Sequence, residues 1–296
     1  MTYPKVIQAL RITSAMLIGI AALLAILIWL GVSQFGASDQ AVSVIKSSSA
    51  IYFLIGFLCL SVFLTLITPI AIPRLVFLLG LFPLLVGWRI SALTGMGTVN
   101  VLCACAFAGF VAMFITLVLH GLRTSAPTGR PQTKYSTVQL AFIRLYIGLD
   151  LIPHCTEKLF AGPTVRSGDV QSFQALGVPD PLQFVLVAGM IEFSAAIGVG
   201  LGLFTRLAAV LTVVYLMVAT IMGHHFLLGF IWASPGGGWE YPVLWSVLIL
   251  SFVFGGGRWM SLDEVISEHV KLPRWVLAPM GDTSSHCHTR MDSAES

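Results

Sequence analysis

Residues 137–160 read TVQLAFIRLYIGLDLIPHCTEKLF. The apolar run is long enough to cross a hydrocarbon core of roughly 30 Å, which takes about 20 helical residues. Yet an arginine, an aspartate, a histidine, a glutamate and a lysine interrupt it, in a chain only 10% charged. Ionisable groups inside a membrane face a polar interior or an aqueous cavity, so this stretch reads as a membrane helix turned toward a polar site.

The rest of the chain agrees on the solvent. With 57% hydrophobic residues among 296 and a mean hydropathy of +0.91, an ordinary soluble domain is excluded. The expected fold is all-α and polytopic, with eight transmembrane helices near 12–33, 50–71, 73–93, 99–121, 137–158, 181–203, 206–230 and 240–256. The first is too long for a signal-peptide core and is read as a retained helix.

Orientation follows from the basic residues. An inside N-terminus makes Lys5, Arg11, Arg74, Arg123, Arg130, Lys134, Arg206, Arg258, Lys271, Arg274 and Arg290 cytoplasmic. Only Lys46, Arg89, Lys158 and Arg166 then lie outside, and Arg144 lies within helix five. Both termini are therefore expected in the cytoplasm. The net charge of +3 reflects topology and does not indicate nucleic-acid binding.

Residues 125–137, SAPTGRPQTKYST, read as a cytoplasmic linker. It divides an N-terminal four-helix unit, 1–124, from a second four-helix unit, 138–265, followed by a polar cytoplasmic tail, 266–296. Arg11 and Arg74 in the first unit match Arg144 and Arg206 in the second at nearly equal spacing. That suggests a parallel repeat, although cytoplasmic helix starts also attract arginine. In the first unit Arg74 and Arg89 sit close to helix ends, where they are expected to snorkel, and Trp88 suits the same interface.

The second unit carries the chemistry. At about 100° per residue, Asp150, His154 and Lys158 share one helical face with Arg144 at its edge. Pro153 removes an amide donor, bends the helix and frees the Leu149 carbonyl. Glu192 lies about 16 Å into helix six, near the midplane. His224, His225 and Glu240 are expected near the outer surface above it. His154, Lys158 and Glu192 are the candidate catalytic residues; Arg144, Asp150, His224 and Glu240 are candidate ligand-binding residues. For each the structural alternative is open: a snorkelling lysine, a histidine capping the bend, or a glutamate paired with Arg144 or Asp150 to lock the bundle.

Cys103 and Cys105 point in nearly opposite directions on one helix and do not clamp a metal. The tail HCH at 286–288 is weak support for soft-metal binding, and no metal site is assigned. No haem, iron–sulfur or nucleotide motif is present in the sequence.

The pattern Arg144 to Gly148 followed by His154 to Phe160 resembles the first helix of the DoxX family. The likeness continues through Phe173, LGVP at 176–179, Glu192, GLFTRLAA at 202–209, His224, GGGWEY at 236–241 and GGGRWMSLD at 255–263. It covers about residues 138–265. Cys155 departs from it, standing where the family pattern prefers glycine. The resemblance implies a multi-pass protein of a bacterial-type inner membrane. Some members are linked to thiosulfate:quinone oxidoreductase as its membrane subunit. The expected function is accordingly a quinone-linked oxidoreductase component, with quinone as cofactor and thiosulfate or another sulfur compound as an electron source.

His154 or His224 would donate to a quinone carbonyl, Lys158 would stabilise developing negative charge, and Glu192 would pass protons. Lys158, Arg166 and the amides of the 236–238 glycines would form an oxyanion entry. Membrane lipids and a redox partner protein or other subunit are the expected partners. Two other readings stand beside this one: a proton-coupled small-molecule transporter, and a non-catalytic scaffold subunit of a redox complex. A carrier requires a water path to both faces, whereas a quinone site opens sideways to lipid.

Overall fold

The computed structural model describes residues 3–32, 49–124 and 132–269. Among them are eleven α-helices and no strand. These are α1 (Tyr3–Trp29), α2 (Ala50–Ile67), α3 (Pro73–Leu93), α4 (Gly97–Thr124), α5 (Gln132–Leu149), α6 (Leu151–Leu159), α7 (Pro163–Ala175), α8 (Pro181–Ala195), α9 (Thr205–Met222), α10 (Glu240–Gly255) and α11 (Leu262–His269). A π-helical segment, Ala196–Gly202, continues α8.

The protein is an all-helical membrane protein. Seven segments are long and apolar enough to cross a membrane: α1, α2, α3, α4, α5 with α6, α8 with its π extension, and α9. The expected eighth span is the apolar α10, whose 16 residues reach only about 24 Å. Apolar side chains such as Met16, Phe63, Phe142, Val247 and Phe254 stand exposed around the bundle, as they do where lipid is the solvent.

Several sequence expectations are corrected. Helix one begins at Tyr3, not near residue 12. Arg11 therefore lies inside the helix and is buried. The expected seventh span, α9, stops at Met222 and does not reach residue 230, because Gly223 is followed by His224 in the left-handed region, at φ 57°. The segment beyond is a turned loop in which the Trp239 amide donates to Gly229 O and the Glu240 amide to Phe230 O. Its exposed Phe226, Leu227, Phe230 and Ile231 made an apolar run that hydropathy alone read as helix. The polar α7 was not expected; Pro163 starts it at a favoured position, and none of its residues is buried. Residues 132–137, assigned to the linker, form the start of α5. Residues 125–131 and 270–296, the latter with HCH, lie outside the described residues.

Arg74 and Arg89 do not snorkel free. Arg74 Nη1 pairs with Glu264 Oε2 at 2.6 Å, and Arg89 pairs with Glu157. Both pairs join the first half of the chain to the second. Phe82 also meets Phe193, and Phe160 packs on Phe53 and Phe57. One hydrophobic core runs from Ile18 and Leu54 through Leu145, Ile152 and Ala196. Trp88 turns inward to donate from Nε1 to Asn100 Oδ1 at 2.7 Å.

The two halves repeat one device. Arg11 on α1 donates to Thr65 O and Leu66 O, at the end of α2. Arg144 on α5 donates to Val199 O at 2.9 Å and to Gly200 O, in the π segment that ends the α8 span. The last carbonyls of a helix lack intrahelical partners, and in a membrane water does not supply them. In each half, a buried arginine on the first long helix caps the end of the second long helix. Arg144 also donates to Met260 O, tying in the GGGRWMSLD loop. Asp263, in the first turn of α11, accepts from the amides of Phe204 and Thr205 and from Thr205 Oγ1, capping α9.

Candidate functional site

The helix carrying the opening sequence breaks where its proline requires it to. Pro153 has no amide for the Leu149 carbonyl, so α5 ends at Leu149 and α6 restarts at Leu151, with Asp150 at the joint. The break separates groups that an ideal helix places on one face. Arg144 is fully buried with its carbonyl partners, Asp150 is half-buried, His154 is exposed, and Lys158 is buried at 8% exposure.

Lys158 meets Glu192. Its Nζ lies 3.1 Å from Glu192 Oε2, and Glu192 is 6% exposed. The approach lies off the hydrogen-bond direction, leaving Oε2 with spare acceptor capacity. Nζ instead donates to His154 O at 3.3 Å. Gly189, one turn before Glu192, makes the meeting possible: a Cβ there would stand 2.8 Å from Lys158 Cβ and from Leu159 Cγ. Without a side chain at 189, α6 lies close against α8.

The other carboxylate oxygen, Oε1, accepts a 2.6 Å hydrogen bond from Tyr215 Oη on α9. Glu192 is eleven residues into its span and Tyr215 ten into the next, which runs the opposite way, so both lie about 15–16 Å from helix ends. The ring of Tyr215 lines a 790 Å³ groove between α8 and α9, walled by Met190, Ile191, Leu207 and Leu211 among others. These four wall residues are exposed on the outside of the bundle. The result is a buried chain, Lys158–Glu192–Tyr215, that ends at a lipid-facing apolar groove.

The remaining candidates lie elsewhere. The His154 ring sits edge-on to Trp245, with centroids 6.0 Å apart. Asp150 faces a separate groove on the side of the first half. His224 is exposed; the His225 ring meets Trp232 at a tilt, with centroids 5.5 Å apart, and its Nδ1 lies 3.0 Å from Gly237 O. Glu240 Oε2 accepts from the Trp232 amide at 3.2 Å. His225 and Glu240 thus brace the 223–239 loop. Arg166 donates to Lys158 O and Leu159 O, and the Gly237 amide to Ser234 O, so these two of the groups expected to form an oxyanion entry are committed to backbone contacts. Cys155 is buried, with Sγ donating to Ile152 O at 3.2 Å. Among the described residues no three His, Cys, Asp or Glu side chains cluster as metal ligands.

Tyr215 was missed by sequence reasoning. Its signal was a lone phenol half-way along an apolar span, the depth expected of Glu192.

A helical bundle with a buried ion pair between two helices, hydrogen-bonded through its glutamate to a third, defines an integral membrane protein with a polar interior site. The chain belongs to the DoxX family, whose model matches residues 139–225. An uncharacterized protein of Haemophilus influenzae is 35% identical over 131 residues, 44% of this chain and 92% of that protein. The inner membrane protein YphA of Escherichia coli is 41% identical over 105 residues, 33% of this chain and 71% of that protein. No solved structure matches the chain.

Proposed function

We propose that the protein is a quinone-linked oxidoreductase component of a bacterial-type inner membrane, with both termini cytoplasmic and the quinone ring in the groove between α8 and α9. What supports this is the Lys158–Glu192–Tyr215 chain, which carries ionisable groups from the buried interior to the wall of a lipid-facing groove. The groove suits the group: its apolar walls accept a ring and isoprenoid tail, its 790 Å³ falls in the range of ligand sites, and the phenol is its polar anchor. A quinone bound there supplies two-electron, two-proton chemistry.

The chain's own residues hold and move the protons. At rest Tyr215 donates to Glu192. Protonating Glu192 frees the phenol to turn its hydrogen toward the groove, and Lys158 holds the carboxylate in register as the proton passes. Two electrons enter from a redox partner protein or subunit, with thiosulfate or another sulfur compound as their source.

The test is purification with its partner, assay of co-purified quinone, and thiosulfate-dependent quinone reduction in wild type, Tyr215→Phe and Glu192→Gln. Bound quinone and a loss of turnover of about 10²-fold or more in both variants are expected. Absence of quinone, or full turnover in Glu192→Gln, overturns the proposal. Proton-driven solute uptake by the protein alone in liposomes would favour the transporter reading instead.

A further inference from the structure

A second groove of 590 Å³ runs between the halves, walled by α3 and α4 on one side and α5 and α6 on the other. Its two ends differ. One is apolar, at Phe77, Phe110 and Phe114; the other gathers Arg89, Asn100 and Asp150. From Phe77 to Arg89 is twelve residues of α3, about 18 Å, which exceeds one leaflet's half of the roughly 30 Å hydrocarbon core. Shape and polarity are those of a site for an amphiphile lying along the membrane normal.

The polar end specifies the head group. Arg89 pairs with Glu157 through Nη2, yet its side chain stays 36% exposed and lines the groove, so the rest of the guanidinium can donate into it. The half-buried Asp150 carboxylate has no hydrogen bond or ion pair among the described residues. Asn100 spends Oδ1 on Trp88 and keeps its NH2 group. The end therefore offers a cationic donor, an amide donor and an unmatched anionic acceptor. A quinone presents only acceptors and leaves Asp150 unmet. A head group joining an anionic oxygen to a hydrogen-bonding cation satisfies all three.

We propose that this groove binds a phospholipid with a primary-ammonium head group, of the phosphatidylethanolamine type. Its ammonium pairs with Asp150, a phosphate oxygen accepts from the exposed part of the Arg89 guanidinium, an ester carbonyl accepts from Asn100, and one acyl chain lies along the phenylalanine lane. The lipid mortars the interface between the halves, a role independent of quinone binding at Tyr215.

Native mass spectrometry of the delipidated full-length protein tests this, using phosphatidylethanolamine, phosphatidylcholine and phosphatidylglycerol with identical acyl chains. The wild type is expected to bind phosphatidylethanolamine about tenfold more tightly than the other two, the worth of one charge-assisted hydrogen bond. Asp150→Asn is expected to abolish the preference over phosphatidylcholine. Ala92→Trp, which fills the polar end, is expected to reduce binding of phosphatidylethanolamine to the level of the other lipids. Equal binding of phosphatidylethanolamine and phosphatidylcholine by wild type, a result that needs no variant to fold, overturns the proposal. So does a preference that survives Asp150→Asn, or displacement of the bound lipid by a short-chain quinone.

Discussion

Lys158→Met strands the Glu192 carboxylate at 6% exposure with only the Tyr215 hydroxyl to support it. Breaking a buried ion pair from one side costs about 3–5 kcal/mol, because the surviving charge keeps its desolvation penalty. Glu192→Leu strands the lysine in the same way and also orphans the Tyr215 hydroxyl, so its loss falls at the upper end of that range. The double variant removes both charges and fills the space with apolar groups; only the phenol stays unsatisfied, at about 1–3 kcal/mol. The two single losses together exceed the double loss by about 3 kcal/mol or more. Unfolding in mixed detergent, followed by far-ultraviolet circular dichroism, measures all four corners of the cycle. Losses that add within about 0.5 kcal/mol would falsify the reasoning, since independent sites add to that tolerance. The same proteins separate chemistry from architecture. If Glu192 works in proton transfer, the double variant recovers stability without recovering quinone reduction; recovery of both makes the pair structural only.

Other consequences follow from the capping and packing contacts. Arg144→Lys keeps the charge but not the fork that reaches Val199, Gly200 and Met260; it is expected to lose about 2 kcal/mol or more, read by the same unfolding assay. Gly148→Ala drives a Cβ into the Gly200 backbone, and since neither main chain yields cheaply the cost is expected at about 1–3 kcal/mol. Gly56→Ala meets nothing within 4 Å and is expected to stabilise α2 by up to about 1 kcal/mol; a matching loss at both glycines would refute the packing argument. Asp263→Ala removes the cap of α9 and is expected to cost about 1–2 kcal/mol, with faster amide exchange at Thr205 as its local signature.

Much of the architecture was legible in the order of residues because lipid imposes a simple rule: a spanning segment satisfies its backbone internally and shows apolar side chains outside. Composition therefore decided the solvent, the helical class and most of the spans. Counting along the expected sixth span, which is α8, put Glu192 at mid-depth. The GGGRWMSLD and RLxxG motifs marked the family, and Pro153 marked the break. Hydropathy failed where an apolar segment is not helical, as after Met222, and where a helix is polar, as in α7.

Pairing was decided in three dimensions. Periodicity gives a side chain's angle about its own helix axis, and says nothing of which neighbour that angle faces or how near the neighbour comes. Arg144, Asp150, His154 and Lys158 share a face on paper, but the joint at Asp150 turns them to four surroundings: carbonyls, a groove, Trp245 and Glu192. Gly189 sets the distance at which Lys158 reaches Glu192, and Gly148 against Gly200 sets how α5 sits on the π segment. Tyr215 enters the site only because α8 and α9 cross at mid-depth. Residue order sufficed to show that this membrane protein holds charge in its interior; the close approach of its helices decided which charges meet.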